Sequence, residues 1–389
     1  MNKFDMYVPT RLVFGQGQLN NLHTLPLPGK KALIVISNGK STRANGYLDR
    51  TQEQLKMADV EYVVFDKVEP NPLKSTVEAG GKMARENKCD FILPLGGGSC
   101  MDAAKGIAAM ATNDGDLWDY IAFGTGKGKP IINPLPIVAI STTAGTGSET
   151  DNGAVITNPE TKEKTALFGV NLFPVLAIVD PELMASVPPK LTAYQGFDAI
   201  FHSLEGYVSK FANLMSDMYA HTAIYNVSHY LPRAVKNGKD MEARDKVAFA
   251  NSLSGTVMCV GTCTAEHSLE HALSAYHQEL PHGAGLIMIS KAYYSCLIRK
   301  HSCDERFVQM AKIMGMENAS KPEDFITTLV KLQEGCGVAD LKMSDYGIRE
   351  SEFEGMVKNA KSCMSMLFDC ERLPLTDEDC IRIYRESYK

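Results

Sequence analysis

The sequence has no CxxC pair, no GxxxxGKS/T run, no cluster of basic residues, and no apolar stretch of about 18 residues unbroken by Pro, Gly or charge. Each absence excludes something. Ten cysteines scattered without regular spacing through 389 residues argue for reduced thiols rather than a disulfide framework. The missing P-loop disfavours a kinase or ATPase of that type. Forty basic against 46 acidic residues, a net charge of -6, leave no stripe to follow phosphates or an anionic membrane. No nucleic-acid or membrane partner is expected. The opening MNKFDMYVPTRL holds no apolar signal-peptide core, so a soluble, cytoplasmic protein is the expectation.

Proline is scarce in one half only. Of 18 prolines, only Pro232, Pro281, Pro322 and Pro374 lie beyond Pro189, so long helices are permitted mainly there. Before Pro188, β-branched runs such as KKALIVIS, VEYVVF, DFILPLGGG and PIVAISTT alternate with helix-like stretches such as YLDRTQEQLKMA. That alternation predicts an α/β domain over 1–187, with a parallel, Rossmann-like sheet, followed by an all-α domain over 188–389. NGAVITNPETKEKTALFGV reads as a β-hairpin within the first.

Two glycine-rich stretches follow predicted strands. In FILPLGGGSCMDAAKG, Gly97 and Gly98 precede a helix expected to be capped by Ser99, where unpaired N–H groups and the dipole offer a seat for a pyrophosphate. ISTTAGTGSET adds Thr142 and Thr143 at another strand end, and two such loops in one sheet point to a dinucleotide.

Four of the nine histidines lie in EHSLEHALSAYHQELPH, as His267, His271, His277 and His282. Earlier, GFDAIFHSLEGYVS places Asp198 and His202 four apart, on one face of a helix. One carboxylate and up to three imidazoles suit Fe, Zn, Co or Ni rather than Ca or Mg. Among Phe197, Ile200, Phe201 and Leu204, an unpaired Asp198 would be costly to bury.

These stretches, with PTRLVFGQG, GGGSCMDAAK and TTAGTGSE, resemble the iron-containing, or group III, alcohol dehydrogenases over essentially the whole chain. The resemblance implies a metal, Fe2+ or alternatively Zn2+, held by Asp198, His202, His267 and His282, with His271 on the nicotinamide side. The interval from His267 to His282 is one residue longer than in several familiar members, which makes His277 a decoy. Asn71, Asp102, Lys105 and Lys164 match cofactor-side positions in similar proteins, and Lys105 also reads as an ordinary exposed charge. The implied reaction is hydride transfer between a nicotinamide cofactor and a small primary alcohol or aldehyde. The alternative is a metal- and NAD-dependent lyase or cyclase of the dehydroquinate synthase type, which expects extra Lys and Arg around the metal that GFDAIFHSLEGYVS lacks. A homodimer is expected, through the strand RLVFG.

After KKALIVI, relatives that prefer NAD commonly carry an Asp for the ribose hydroxyls, where this chain has Ser37. Without that carboxylate, Ser37, Asn38 and Lys40 have donors to offer a 2'-phosphate, and the reading leans towards NADP over NAD. Asp151, Gly153 and Phe168 are candidates to face the substrate.

Overall fold

A computed structural model describes residues 3–389. The chain forms two compact units, Tyr7–Ser186 and Val187–Lys389, and residues 3–6 belong with the second. Six strands of the first unit form one parallel sheet: β1 (Arg11–Phe14), β2 (Lys31–Ser37), β3 (Glu61–Val68), β4 (Phe91–Gly96), β5 (Val138–Ser141) and β8 (Leu176–Val179). Their spatial order is β1-β8-β5-β4-β2-β3.

The near-continuous apolar runs follow from burial of the sheet on both faces. Leu33 and Val35 of β2 join one hydrophobic cluster, with Ile92 of β4 and Ile107. The alternate residues Ala32, Ile34 and Ile36 join another, with Phe91 and Leu93. Helices α1 (Tyr47–Met57), α2 (Lys74–Glu86) and α3 (Gly98–Met110) supply the crossovers. The hairpin pairs β6 (Gly153–Asn158) with β7 (Glu163–Phe168), antiparallel, from Gly153 opposite Phe168 to Asn158 opposite Glu163.

No strand is found in the second unit among the described residues. Its first helices are α4 (Pro189–Val208), α5 (Leu214–Lys236), α6 (Met241–Gly261), α7 (Ala265–Tyr276) and α8 (His282–Arg299). The remainder includes α9 (Asp304–Ile313), α10 (Glu323–Gly335), α11 (Phe353–Cys363) and α12 (Asp377–Ser387). Proline marks two starts, at Pro189 in the first turn of α4 and Pro281 just before α8, where a missing N–H costs nothing. Helix α4 is buried almost all round, with Phe197, Ile200, Phe201 and Leu204 fully enclosed. No single helix is long and apolar enough to cross a membrane.

Candidate metal centre and nucleotide loops

Helix α4 carries Asp198 and His202 on one face, α7 carries His267 and His271, and His282 opens α8. Folding brings Asp198, His202, His267 and His282 together around one carboxylate oxygen. Asp198 Oδ1 lies 3.7 Å from His202 Nδ1, 3.5 Å from His267 Nε2 and 3.4 Å from His282 Nε2. The His202 and His267 rings stack with centroids 4.3 Å apart. The approach of α8 depends on Gly283, where a Cβ would fall 2.2 Å from the Tyr194 carbonyl oxygen. Any larger residue would push His282 away from Asp198.

Two glutamates outside the expected set complete the arrangement. Glu205 accepts a hydrogen bond from His267 Nδ1, and Glu270 accepts one from His282 Nδ1. A carboxylate on Nδ1 fixes the tautomer that leaves Nε2 as a lone-pair donor, and raises its basicity. Glu205 is itself fixed by the Thr264 N–H at 2.7 Å. The signal was local: HSLE occurs at 202–205 and again at 267–270. Its meaning is not local, because Glu205 on α4 serves a histidine of α7, and Glu270 on α7 serves the first residue of α8.

The donors fit a divalent metal by their own chemistry. Asp198 Oδ1 and His267 Nε2 are buried without a hydrogen-bond partner, a costly state unless a cation sits between them. Burial opposes ionisation of Asp198, yet His202 and His282 beside it hold its carboxyl well below the usual range. Burial also works against a charged His267, but Glu205 and Asp198 raise its pKa to about 10. The negative charge that favours a proton on His267 would equally favour a divalent metal, which displaces that proton on binding. Cys263 offers a thiol here too, since donor atoms of His202, Cys263 and His267 lie within 4.8 Å of one another.

His271 and His277 part company. The buried His271 ring is perpendicular to His267, with centroids 6.3 Å apart, and 5.3 Å from the ring of His282. Its donor atoms group with those of Glu270 and His282. His277 caps the C-terminus of α7 and turns its Nε2 to Glu352 at 3.1 Å.

In the first unit, both glycine loops stand at strand ends, after β4 and β5. Helix α3 is capped by Gly97, with no side-chain cap, and Ser99 lies inside its first turn rather than at the cap. A Cβ on Gly97 would lie 2.7 Å from Thr143 Oγ1, and one on Gly98 would lie 2.3 Å from Thr146 Cγ2. The glycines therefore admit the second loop as well as any ligand. Thr142 anchors that loop through its N–H to Gly96 O at 3.0 Å.

Ser37 ends β2 partly buried, Asn38 donates its N–H to Val68 O at 2.8 Å, and Lys40 is exposed before the short helix Ser41–Ala44. Asn71 holds a positive φ of 54° before Pro72. Lys164 is buried on β7 opposite Thr157.

Lys105 is not an exposed charge: it is 1% exposed, and its three ammonium hydrogens reach Ser148 Oγ at 2.8 Å, Asp151 Oδ1 at 2.6 Å and Gly153 O at 2.7 Å. Asp102 takes the Ser148 hydroxyl at 2.8 Å and the Val155 N–H at 3.0 Å, so both its oxygens are engaged within the protein. Burial lifts its pKa to about 6, against the pull of Lys105. Asp151, a candidate to face substrate, is committed to Lys105 and to the Gly153 N–H. This knot ties α3 to the second glycine loop and the hairpin.

A parallel sheet with paired glycine loops, together with a helical unit that holds a buried Asp–His donor set, fits a metal-dependent nicotinamide enzyme. Comparison with known proteins agrees. Residues 9–181 match the iron-containing alcohol dehydrogenases and residues 192–388 match the C-terminal part of that family. The chain is 34% identical over 367 residues to a 1,3-propanediol dehydrogenase of Klebsiella pneumoniae, covering 92% of each. It is 32% identical over 363 residues to an NAD-dependent methanol dehydrogenase of Bacillus methanolicus, covering 92% of this chain and 93% of that one. Among solved structures, an archaeal halo-thermophilic alcohol dehydrogenase from a Red Sea brine pool superposes with a TM-score of 0.94 at 32% identity, over 99% of both chains. The chain belongs to the iron-containing alcohol dehydrogenase family, and it is an alcohol/aldehyde oxidoreductase that works with iron and a nicotinamide cofactor.

Proposed function

We propose that Asp198, His202, His267 and His282 hold the iron, and that the enzyme interconverts a small primary alcohol and its aldehyde with NADP. The observation that carries the metal assignment is Asp198 Oδ1, buried within 3.4 to 3.7 Å of three imidazoles and without a hydrogen bond. Iron held there supplies Lewis acidity towards the substrate oxygen while hydride passes to or from the nicotinamide. The chain's residues do the rest. Glu205 and Glu270 keep the imidazoles of His267 and His282 oriented with Nε2 inward. His271, buried one turn beyond His267, holds or passes the alcohol proton on the cofactor side.

The α3 N-terminus, Gly97, Gly98, Ser99, Thr142 and Thr143 receive the pyrophosphate, with Asn71 and Lys164 on the cofactor side. Asp102 serves the cofactor indirectly, by fixing the two loops and the hairpin through Ser148 and Val155. Ser37, Asn38 and Lys40 accept the 2'-phosphate, because no carboxylate stands at the end of β2 to repel it.

Strand β1 lies at the sheet edge with Arg11 and Leu12 exposed, which favours pairing with a second copy into a homodimer. Ten free cysteines suit a reducing, cytoplasmic setting. The decisive experiment is elemental analysis of Asp198→Ala, His202→Ala, His267→Ala and His282→Ala after anaerobic iron loading. All four should lose metal and aldehyde reduction together while keeping helical content. Retention of metal by His282→Ala, with loss by His277→Ala, would move the fourth ligand across the longer loop.

A further inference from the structure

Behind His267 runs a buried chain of oxygens from Glu205 to Glu371. Glu205 Oε2 is 3.1 Å from Thr264 Oγ1, Thr264 Oγ1 is 2.7 Å from the Tyr293 hydroxyl, and that hydroxyl is 2.5 Å from Glu371 Oε1. Every member is buried: Glu205, Thr264 and Tyr293 fully, Glu371 to within 6%. Four separate segments meet in it: α4, the residue before α7, α8, and the loop before α12.

The hydrogens can be counted. Three oxygen–oxygen contacts of this length each need one hydrogen, and the two hydroxyls supply only two. Glu205 is the poorer source of the third, because both of its oxygens already accept an N–H, Oε1 from His267 Nδ1 and Oε2 from Thr264, whereas only Oε1 of Glu371 does so. The third therefore belongs to Glu371, as a neutral carboxylic acid. The order is then fixed from end to end: Glu371 donates to Tyr293, Tyr293 to Thr264, and Thr264 to Glu205. Glu371 Oε1 still accepts the Ala265 N–H at 3.1 Å.

The surroundings agree with a neutral Glu371. Burial, with the facing Glu205, raises its pKa to about 7. Glu266, Tyr293, Cys303 and Cys370 also sense its charge; the two thiols feel Arg306, Arg372 and Lys210 as well, but no cation contributes to the shift of Glu371 itself. Arg372 follows it in sequence but turns its guanidinium to Val208 O at 2.8 Å.

We infer that Glu371 is a remote positioning residue for the metal ligand His267: as a neutral acid it heads a one-way chain through Tyr293 and Thr264 that keeps Glu205 in place as the acceptor for the His267 ring. The inference rests on His267 being a ligand. Glu371 touches neither His267 nor the metal donors, and acts only through the chain. With the head donor removed, Tyr293 and Thr264 lose their common direction, Glu205 is held more loosely, and His267 releases metal faster.

The test is the rate at which the iron-loaded enzyme gives up metal to excess EDTA at pH 6.5, followed beside thermal melting. Glu371→Gln, whose amide keeps a donor for Tyr293 and an acceptor for Ala265, should release metal at the wild-type rate. Glu371→Ala, Tyr293→Phe and Thr264→Val should each release it about tenfold faster, the lower end of what outer partners of metal ligands contribute. Thr264→Ser should restore the slow rate. His202→Ala is the control for the ligand reading. If it holds metal like the wild type, that reading fails. If it loses metal while Glu371→Ala and Tyr293→Phe release at the wild-type rate, the relay alone is refuted. Glu371→Gln behaving like Glu371→Ala would also refute it, since Glu371 would then act as an ionised acceptor.

Discussion

Replacing Lys105 by Met should unfold the nucleotide unit early, and the size of the effect follows from its three contacts. The ammonium is 1% exposed and every hydrogen is used, on Ser148, Asp151 and Gly153 O. The substitution leaves the Asp151 carboxylate buried with only the Gly153 N–H, and removes the nearest positive charge from Asp102. Breaking one partner out of a buried ion pair costs about 3 to 5 kcal/mol. For a unit of this size, each kcal/mol is worth roughly 2 to 4 °C in melting temperature. A fall of about 12 °C is therefore expected by scanning calorimetry, with a raised KM for the cofactor as the second glycine loop loses its tie. Lys105→Met combined with Asp151→Leu removes both charges and should recover at least half of the loss, because apolar replacement of a whole buried pair is often neutral. A fall below about 3 °C for Lys105→Met would show that water or a shifted side chain satisfies Asp151, and the knot would not be what holds the loops.

Ser37→Asp should turn the kcat/KM ratio from NADPH towards NADH by at least tenfold, and a wild-type enzyme tenfold better with NADH would overturn the 2'-phosphate assignment. His271→Ala should keep its iron and lose turnover, whereas His277→Ala, bonded to Glu352, should keep both, as elemental analysis and steady-state rates will show. Gly98→Ala should weaken cofactor binding through its contact with Thr146 Cγ2, and Gly98→Ala with Thr146→Ser, which removes that methyl, should recover part of it in a fluorescence titration. Glu371 is raised from an ordinary 4.5 to about 7, so the folded state keeps a proton that the unfolded chain releases. Stability should accordingly fall as pH rises from about 4.5 through 7, by up to about 3 kcal/mol, and Glu371→Gln should remove that slope in urea melts.

The inner strands of the sheet were legible because they are buried on both faces. KALIVIS of β2 and FILPLG of β4 are continuous apolar runs of strand length, ended by Asn–Gly in one case and Gly–Gly in the other. The clustering of Asp198 with three histidines was legible through the four-residue interval of Asp198 and His202 and the crowding of histidines after 266. Lys105 was not. A lysine three residues after an aspartate, on a helix opening a glycine loop, has the same local pattern whether it reaches water or Asp151, and the hairpin that buries it begins nearly fifty residues later. Ser99 failed for a related reason: cap preference favours Ser, but the close approach of Thr143 and Thr146 gives the preceding positions to glycine and moves the helix start back to Gly98.

The two HSLE segments show where sequence reading stops at this site. Within one helix, a glutamate three residues after a histidine lies on the same face, and the local expectation is a contact between those two side chains. The fold uses the spacing differently. In α4, His202 turns to Asp198 while Glu205 reaches His267 of the next segment; in α7, His267 turns to Asp198 while Glu270 reaches His282. Helices α4 and α7 thus each give the centre a candidate donor and give another helix's histidine a carboxylate, so neither can shift without disturbing two histidines. The centre is consequently a joint property of α4, α7 and the start of α8. Exchanging Glu205 or Glu270 for Gln keeps a hydrogen-bond acceptor on the imidazole but removes the charge that makes Nε2 basic, which leaves geometry in place while weakening the hold on a divalent ion.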